Sequence, residues 1–286
     1  MPNPLLCRAM ATLLDDIPYG ELKKAYNHLE KKNKDLIDGL YYAAFVQQGL
    51  MPHERHFTKL GYPYFVYYNP LQIIGGDFFW VGNTGDWDLM AVGDCTGHGV
   101  SGAMLSTLAI GFLNYLMFSK KLNNVGDIIS ELDKKWIETF NKSDDVENAN
   151  NDWLEISIIA YNKKTKQLQF AGAMGSALII HNNEVTKVLG NSYPVGGWQI
   201  EKNRIYTTQK IELQPNTKVY LYSDGYKDQF GGINNKRIGS NSFGKLLQSI
   251  SKFNLTVQRE ELENNFLLWR GEYEQTDDVC VMAIEF

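Results

Sequence analysis

One aspartate stands on each side of a short hairpin, and this pairing restricts the chain more than any other feature. In IIGGDFFW, Asp77 opens an apolar strand; in LMAVGDCTGHG, Asp94 closes the next. The turn signal Asn83 to Asp86 (NTGD) lies between them. Partners across an antiparallel hairpin keep a constant index sum, here about 169 to 171, and Asp77 with Asp94 gives 171. The two carboxylates are therefore expected nearly opposite each other, with Cβ atoms ~5 Å apart. Like charges that close push one another towards the protonated form. A fold that keeps both acids has to bring positive charge to them.

A second set of acids follows the same logic. Asp224 comes directly after the apolar strand KVYLYS and before Gly225, and Asp277 and Asp278 come directly before VCVMAIEF. Each acid lies where an apolar strand meets a loop. A single Asp-Gly step is most often an ordinary turn. The full set, with glycines beside three of its members, points instead to a cation site. All-oxygen donors suit hard ions such as Mg²⁺ or Mn²⁺ better than Zn²⁺. Gly75, Gly76, Gly97 and Gly99 would let the backbone approach the site closely. A helix starting near Val100 would turn its free N–H groups towards a phosphate there.

The rest of the chain bounds the function classes. Its 286 residues suit one or two domains, and 44% hydrophobic with 21% charged residues is a globular mix. Lys plus Arg is 28 and Asp plus Glu is 33, so the formal net charge is −5. Such a chain has no sequence-independent attraction for nucleic acid or an anionic membrane. Three cysteines, Cys7, Cys95 and Cys280, at no zinc-like spacing, imply free thiols in a reducing compartment. The start, MPNPLLCRAM, lacks the pattern of a secretory signal, and Ala103 to Phe118 is short for a membrane span, so it reads as a core helix. A cytoplasmic protein is expected.

From Gly20 to Gln48 the positions Leu22, Tyr26, Leu29, Asn33, Leu36, Leu40, Ala43 and Gln47 alternate by four and three, a heptad seam. This implies a homodimerising stalk through residues 20–48, against the plainer alternative of one amphipathic helix packed on its own domain. Pro52 ends the pattern, so the expected domains are a helical segment, 1–52, and a folded domain, 53–286. Strands are expected at 64–68, 78–81, 87–92, 154–161, 167–171, 177–181, 185–189, 205–213, 218–222 and 279–286. Helices are expected at about 100–118, 125–140, 243–253 and 256–269. The acidic run from Asn141 to Asp152 reads as an exposed loop. This order is not strict βαβ alternation, and it predicts an α+β architecture of antiparallel sheets with helices outside.

Taken together, GGDFFW, GDCTGHGVSGAMLS, YSDGYKD and TDDVCVMAIEF resemble PPM-type (PP2C-like) serine/threonine phosphatases, in particular the bacterial SpoIIE-like branch, over about Met51 to Phe286. The resemblance implies a β-sandwich of two antiparallel sheets flanked by helices, with two Mn²⁺ or Mg²⁺ ions at one edge. Carried over residue by residue, Asp77 would contact one metal largely through water. Asp94 would bridge both, with the backbone carbonyl of Cys95 as a further ligand, and Asp224 and Asp277 would hold the other. Between Asp277 and Asp278 the first matches better. The substrate implied is a phosphoserine or phosphothreonine protein, such as a STAS-type antagonist of an anti-sigma factor. The chain departs from the family pattern at Ser101, where Pro is common, and at AGAMGSALII, around Met174.

In the mechanism this implies, a metal-activated water attacks phosphorus in line, and His98 gives a proton to the leaving oxygen. Lys227, Lys236 and Arg237 are candidates for steering the phosphoprotein, while the other histidines form no spaced cluster. Two other classes fit the same residues: a catalytically weak phosphatase-like scaffold, and a metal-dependent phosphoesterase acting on a nucleotide or lipid.

Overall fold

Short apolar runs bounded by turn residues build two antiparallel sheets in the computed structural model, which describes residues 19–119, 124–140, 151–198, 201 and 203–286. The long helix α1 (Tyr19–Leu50) is followed by the short α2 (Glu54–Leu60) and by β1 (Tyr64–Asn69). The hairpin of β2 (Phe78–Thr84) and β3 (Trp87–Cys95) leads into α3 (Gly99–Ser119) and α4 (Val125–Phe140). Next come β4 (Trp153–Asn162), β5 (Gln167–Ala173), β6 (Ser176–His181), β7 (Glu184–Leu189), β8 (Val195–Gly196), β9 (Gln209–Glu212) and β10 (Lys218–Tyr222). The single turn α5 (Gly225–Asp228) and the small pair β11 (Phe230–Gly231) and β12 (Lys236–Arg237) precede α6 (Ser240–Ile250), α7 (Leu255–Arg270) and β13 (Val279–Glu285).

One sheet runs β1-β13-β10-β6-β7 and the other β2-β3-β4-β5-β9, with β8 added beside β4. Alternation along each strand gives every sheet two apolar faces. Met90, Val92, Ile159 and Phe170 from one sheet meet Ile179, Val219, Leu221 and Met282 from the other, forming the layer between them. The outer face of the first-described sheet packs Tyr220, Val281 and Ala283 against Phe243, Leu247, Leu262 and Phe266 of α6 and α7. The outer face of the second packs Trp80, Ala91 and Ile158 against Ile110, Leu113, Ile129 and Trp136 of α3 and α4. Each large side chain buried in these three layers contributes about 1.5–3 kcal/mol relative to exposure. The result is the expected α+β sandwich, helices outside and sheets inside. Gly99–Met117 is apolar and long enough to cross a membrane by composition alone. In this fold Ala109, Ile110, Leu113 and Leu116 of that helix are fully buried, as expected of a core helix.

Several boundaries differ from the sequence reading for local reasons. Helix α2 is too short to show a period. Its start is fixed by the His53 N–H donating to His56 Nδ1 at 2.9 Å, and Phe57 anchors it in the core. The strand expected over 205–213 holds only Gln209–Glu212. Ahead of it the Ile205 N–H donates to the Tyr193 hydroxyl and the Thr207 N–H to Asn191 Oδ1, which removes those donors from any ladder. Of the acidic run Asn141 to Asp152 only Asn151 and Asp152 lie among the described residues, and Cys7 lies outside them.

The chain divides into two compact units, Met1–Phe45 and Val46–Phe286, and α1 crosses the boundary. In the first unit Leu22, Tyr26, Leu29 and Leu36 of the heptad seam are exposed. Gln47 departs from the seam reading. It belongs to the second unit and is buried there.

Candidate metal centre

The sandwich brings the acids together because the strands are antiparallel: Asp77 and Asp277 precede β2 and β13 while Asp94 and Asp224 lie at the far ends of β3 and β10, so all four reach one edge. The β2/β3 ladder runs from Thr84 opposite Trp87 to Phe78 opposite Gly93. One residue further along that register, Asp77 faces Asp94, as the index sum requires. In the other sheet β10 and β13 are neighbours, Tyr222 pairing with Val281, so Asp224 follows one strand where Asp277 precedes its partner. A serine ties the two sheets together at this edge. The Ser223 hydroxyl donates to Asp77 Oδ2 at 2.5 Å and accepts from the Cys280 N–H at 2.9 Å.

Asp277 and Asp278, adjacent in sequence, do different work. Asp278 is 3% exposed. Its Oδ1 accepts from the Leu71 N–H and its Oδ2 from the Gly76 N–H, both at 2.6 Å. Both carboxylate oxygens are thus engaged by backbone, which makes Asp278 the anchor of the 71–76 turn. Asp277 is half-buried, and among the described residues only its Oδ1 is engaged, by the Asp278 N–H at 2.8 Å. Of the two, Asp277 has the free oxygen.

Glycine makes this packing possible at two positions. A Cβ on Gly75 would lie 2.6–2.7 Å from the Asp278 carboxylate, and one on Gly76 would lie 2.7 Å from the Gly97 carbonyl oxygen and 2.8 Å from that of Cys95. The Cys95 carbonyl therefore faces the turn that carries Asp77, while its side chain is buried in the core. Helix α3 starts at Gly99, four residues past Cys95.

The electrostatics are those of a site short of positive charge. Asp77 is 1% exposed, and burial, then the charge of Asp94, pushes its carboxyl well above the usual range. Burial does the same to Asp94, followed by the charges of Asp224 and Asp277. Asp277 is raised by burial, while its bond from the Asp278 N–H works the other way. Lys227 is 3.9 Å from Asp224, whose side chain is 34% exposed, a weak screened pair. The Tyr68 hydroxyl is buried without a hydrogen-bond partner among the described residues, and burial raises its pKa, with smaller contributions from the charges of Cys280, Asp278 and Asp77.

Among the described residues, no group of three or more His, Cys, Asp and Glu side chains stands in a ready cation-holding arrangement. The donors nonetheless fit hard divalent ions by chemistry. They are carboxylates and a carbonyl, Asp77 buried and Asp94, Asp224 and Asp277 half-buried, mutually repelling, and among the described residues only the part-exposed Lys227 pairs with one of them.

His98 is exposed, and its Nδ1 lies 3.2 Å from Gln72 Nε2. Of the influences on the Asp277 pKa, that of the His98 ring is the smallest and lowers it. Lys236 is exposed, and Arg237 pairs with Asp228 at 3.5 Å, so neither is committed to the acids. Met174 has φ 54° and is 40% exposed, and it lines the same cleft as Asp94, Asp224 and Lys227.

Two residues escaped the sequence reading. Glu155 pairs with Asp94 across β3/β4, and burial, then the charge of Asp224, raises its pKa. Extending the hairpin register by one more strand would have found it. Ser223 was legible only as the residue before Asp224.

The comparisons agree with this fold. The family model of stage II sporulation protein E (SpoIIE) matches residues 87–286. A search of the curated proteins found no match. Among solved structures, the SiaA PP2C domain of Pseudomonas aeruginosa is 26% identical with a TM-score of 0.80, covering 89% of this chain and 98% of that one. The PP2C phosphatase domain of SpoIIE from Bacillus subtilis, solved with a fragment of its regulatory domain, is 16% identical with a TM-score of 0.63, covering 78% and 62%. RsbX, solved in complex with magnesium, is 16% identical with a TM-score of 0.54, covering 78% and 94%. With its matched family model, its two antiparallel sheets and acids from both sheets at one edge, the chain belongs to the SpoIIE family of PP2C-type serine/threonine phosphatases.

Proposed function

We propose that the chain hydrolyses phosphoserine or phosphothreonine on a regulatory protein, using two Mn²⁺ or Mg²⁺ ions at the acid edge. The observation that carries this is the burial of Asp77 beside Asp94 with both carboxyls raised by burial and by neighbouring charge. Asp77, Asp94, the Cys95 carbonyl, Asp224 and Asp277 would hold the ions, with Asp278 holding the turn beneath them. Bound there, the ions would supply charge for the phosphoryl oxygens and lower the pKa of an attacking water.

The chain's own residues supply the rest. Ser223 fixes one oxygen of Asp77, and the other would be left for an ion. If the Gln72 amide donates to His98 Nδ1, the ring proton sits on Nε2, where it can pass to the leaving serine oxygen. Lys227 and the cleft beside Asp94 and Asp224 meet the substrate. Partner-switching proteins are the substrate class favoured here: part of the chain carrying the RsbU and RsbW domains of Rv1364c, 60% of its length, and a structure from work on the bacterial stressosome share this fold. A STAS-type antagonist is the specific candidate. The exposed heptad face of α1 favours a homodimer through residues 20–48, and the setting is cytoplasmic.

Hydrolysis of p-nitrophenyl phosphate and of a phosphoserine peptide tests the reading. Wild type is expected to turn over only with Mn²⁺ or Mg²⁺, and Asp94→Asn to lose at least ~100-fold. If both are equally inert at saturating Mn²⁺, the scaffold reading replaces this one. A preference for nucleotides or phospholipids would redirect the substrate class.

A further inference from the structure

We propose that Gln47 is a positioning residue for the metal-binding turn, an inference that rests on the metal reading above. The seam count assigns this residue to a helix-helix contact. Its side chain instead lies inside the second unit, 4% exposed. Gln47 Nε2 donates to the Gly75 carbonyl at 2.7 Å and to the Ser106 hydroxyl at 2.8 Å. Ser106, fully buried on α3, donates to the Ala103 carbonyl at 3.0 Å and lies 3.4 Å from the Gly75 carbonyl. Both protons of one amide are thereby spent on the turn and on the helix behind it.

The Gly75 carbonyl belongs to the peptide that joins Gly75 to Gly76. The N–H of that same peptide donates to Asp278 at 2.6 Å. One peptide plane is thus held at both ends, its oxygen by Gln47 and its N–H by Asp278. Rotation of the plane would turn ψ of Gly75 and φ of Gly76, and two adjacent glycines offer little resistance to it. The next residue is Asp77. Loosening the plane would leave Asp77 poorly placed before any ion arrives, and binding would then carry the cost of ordering it. A buried glutamine could instead serve only to satisfy neighbouring polar groups. That role would lower stability without changing the affinity for an ion.

Mn²⁺ alone is the probe, with unbound Mn²⁺ counted by electron paramagnetic resonance in the full chain. Gln47→Met keeps the length of the side chain and removes both donors. Its Mn²⁺ dissociation constant is expected to weaken about tenfold, the scale of one or two lost hydrogen bonds. Turnover is expected to recover as Mn²⁺ is raised, and deuterium uptake over residues 72–77 to increase in the metal-free protein. Unchanged Mn²⁺ affinity with a lowered melting temperature would overturn the proposal in favour of a structural role. If Gln47→Met does not fold, Ser106→Ala decides. It leaves Gln47 without its second partner and is expected to weaken Mn²⁺ about threefold. An unchanged constant would again overturn the proposal. Wild type that takes up no Mn²⁺ would sink the metal reading itself, and this one with it. Wild-type uptake with an unaffected Gln47→Met would sink only this one.

Discussion

At the scale of residues, two adjacent aspartates part: Asp278 anchors backbone, and Asp277 is the one proposed to hold an ion. Removing either should fail in its own way. Asp278→Asn loses at least one of two charge-assisted bonds to backbone N–H groups at a buried position. It is expected to cost about 2–4 kcal/mol of stability, read as a lower midpoint in urea unfolding of the metal-free protein. Asp277→Asn should leave that midpoint nearly unchanged while weakening Mn²⁺ uptake. Equal effects on both readouts would contradict the division. The acids at strand ends were legible as a set. The split between 277 and 278 was not, because it depends on which oxygen meets the N–H of Leu71 and which that of Gly76, more than 200 residues away.

At the scale of elements, the turn from Gly75 to Asp77 and the loop after β3 are packed backbone to backbone. Gly76→Ala would bring a Cβ to 2.7 Å from the Gly97 oxygen and 2.8 Å from the Cys95 oxygen, and neither backbone atom can yield cheaply. We expect this variant to lose Mn²⁺ uptake and activity together, measured in the same titration. Gly244, in α6 with nothing within 4 Å of its built Cβ, is the control: Gly244→Ala should retain both. Helix α1 poses a separate question. The exposed Leu22, Tyr26, Leu29 and Leu36 are expected to pair with a second copy. Light scattering of the chain without residues 1–45 should then report a monomer where the full chain reports a dimer. The heptad pattern was readable from spacing alone. The inward turn of Gln47 was not, since its partners, Gly75 and Ser106, lie on other elements.

For the whole molecule, the acid edge links stability to pH and to divalent ions. In the metal-free protein burial raises Asp77 and Asp94, with neighbouring carboxylates adding to it. A carboxylate raised by folding binds its proton more tightly in the fold than in the unfolded chain. Its contribution is whole below the unfolded pKa of about 4 and is lost as pH rises through the folded value. Stability of the metal-free protein should therefore decline as pH rises above about 4. Held there as proposed, Mn²⁺ would replace the protons as the compensating charge, so its benefit should grow over the same range. At a hundredfold excess over the dissociation constant the gain is about 2.7 kcal/mol, or roughly 5–10 °C in melting temperature. Thermal scans from pH 5 to 8 with EDTA or Mn²⁺ check the sign. A gain that is the same at both ends of the range would mean these carboxyls are not where the ion binds.

Most of the strands, the core helices and the α+β class were legible in the sequence, because period and turn chemistry are local, while α2, β8, β11, β12 and the true extent of β9 were too short or too dependent on loop contacts to read. The sequence also determined that Asp77 and Asp94 face each other, because hairpin register follows from the turn between them. That Asp224 and Asp277 belong with them was expected from the sequence as a set; the tertiary structure supplied the approach from the second sheet, the Ser223 bridge to Asp77 and the place of Glu155 beside Asp94. Contacts between strands far apart in the chain depend on how the two sheets stack, and no local spacing records that.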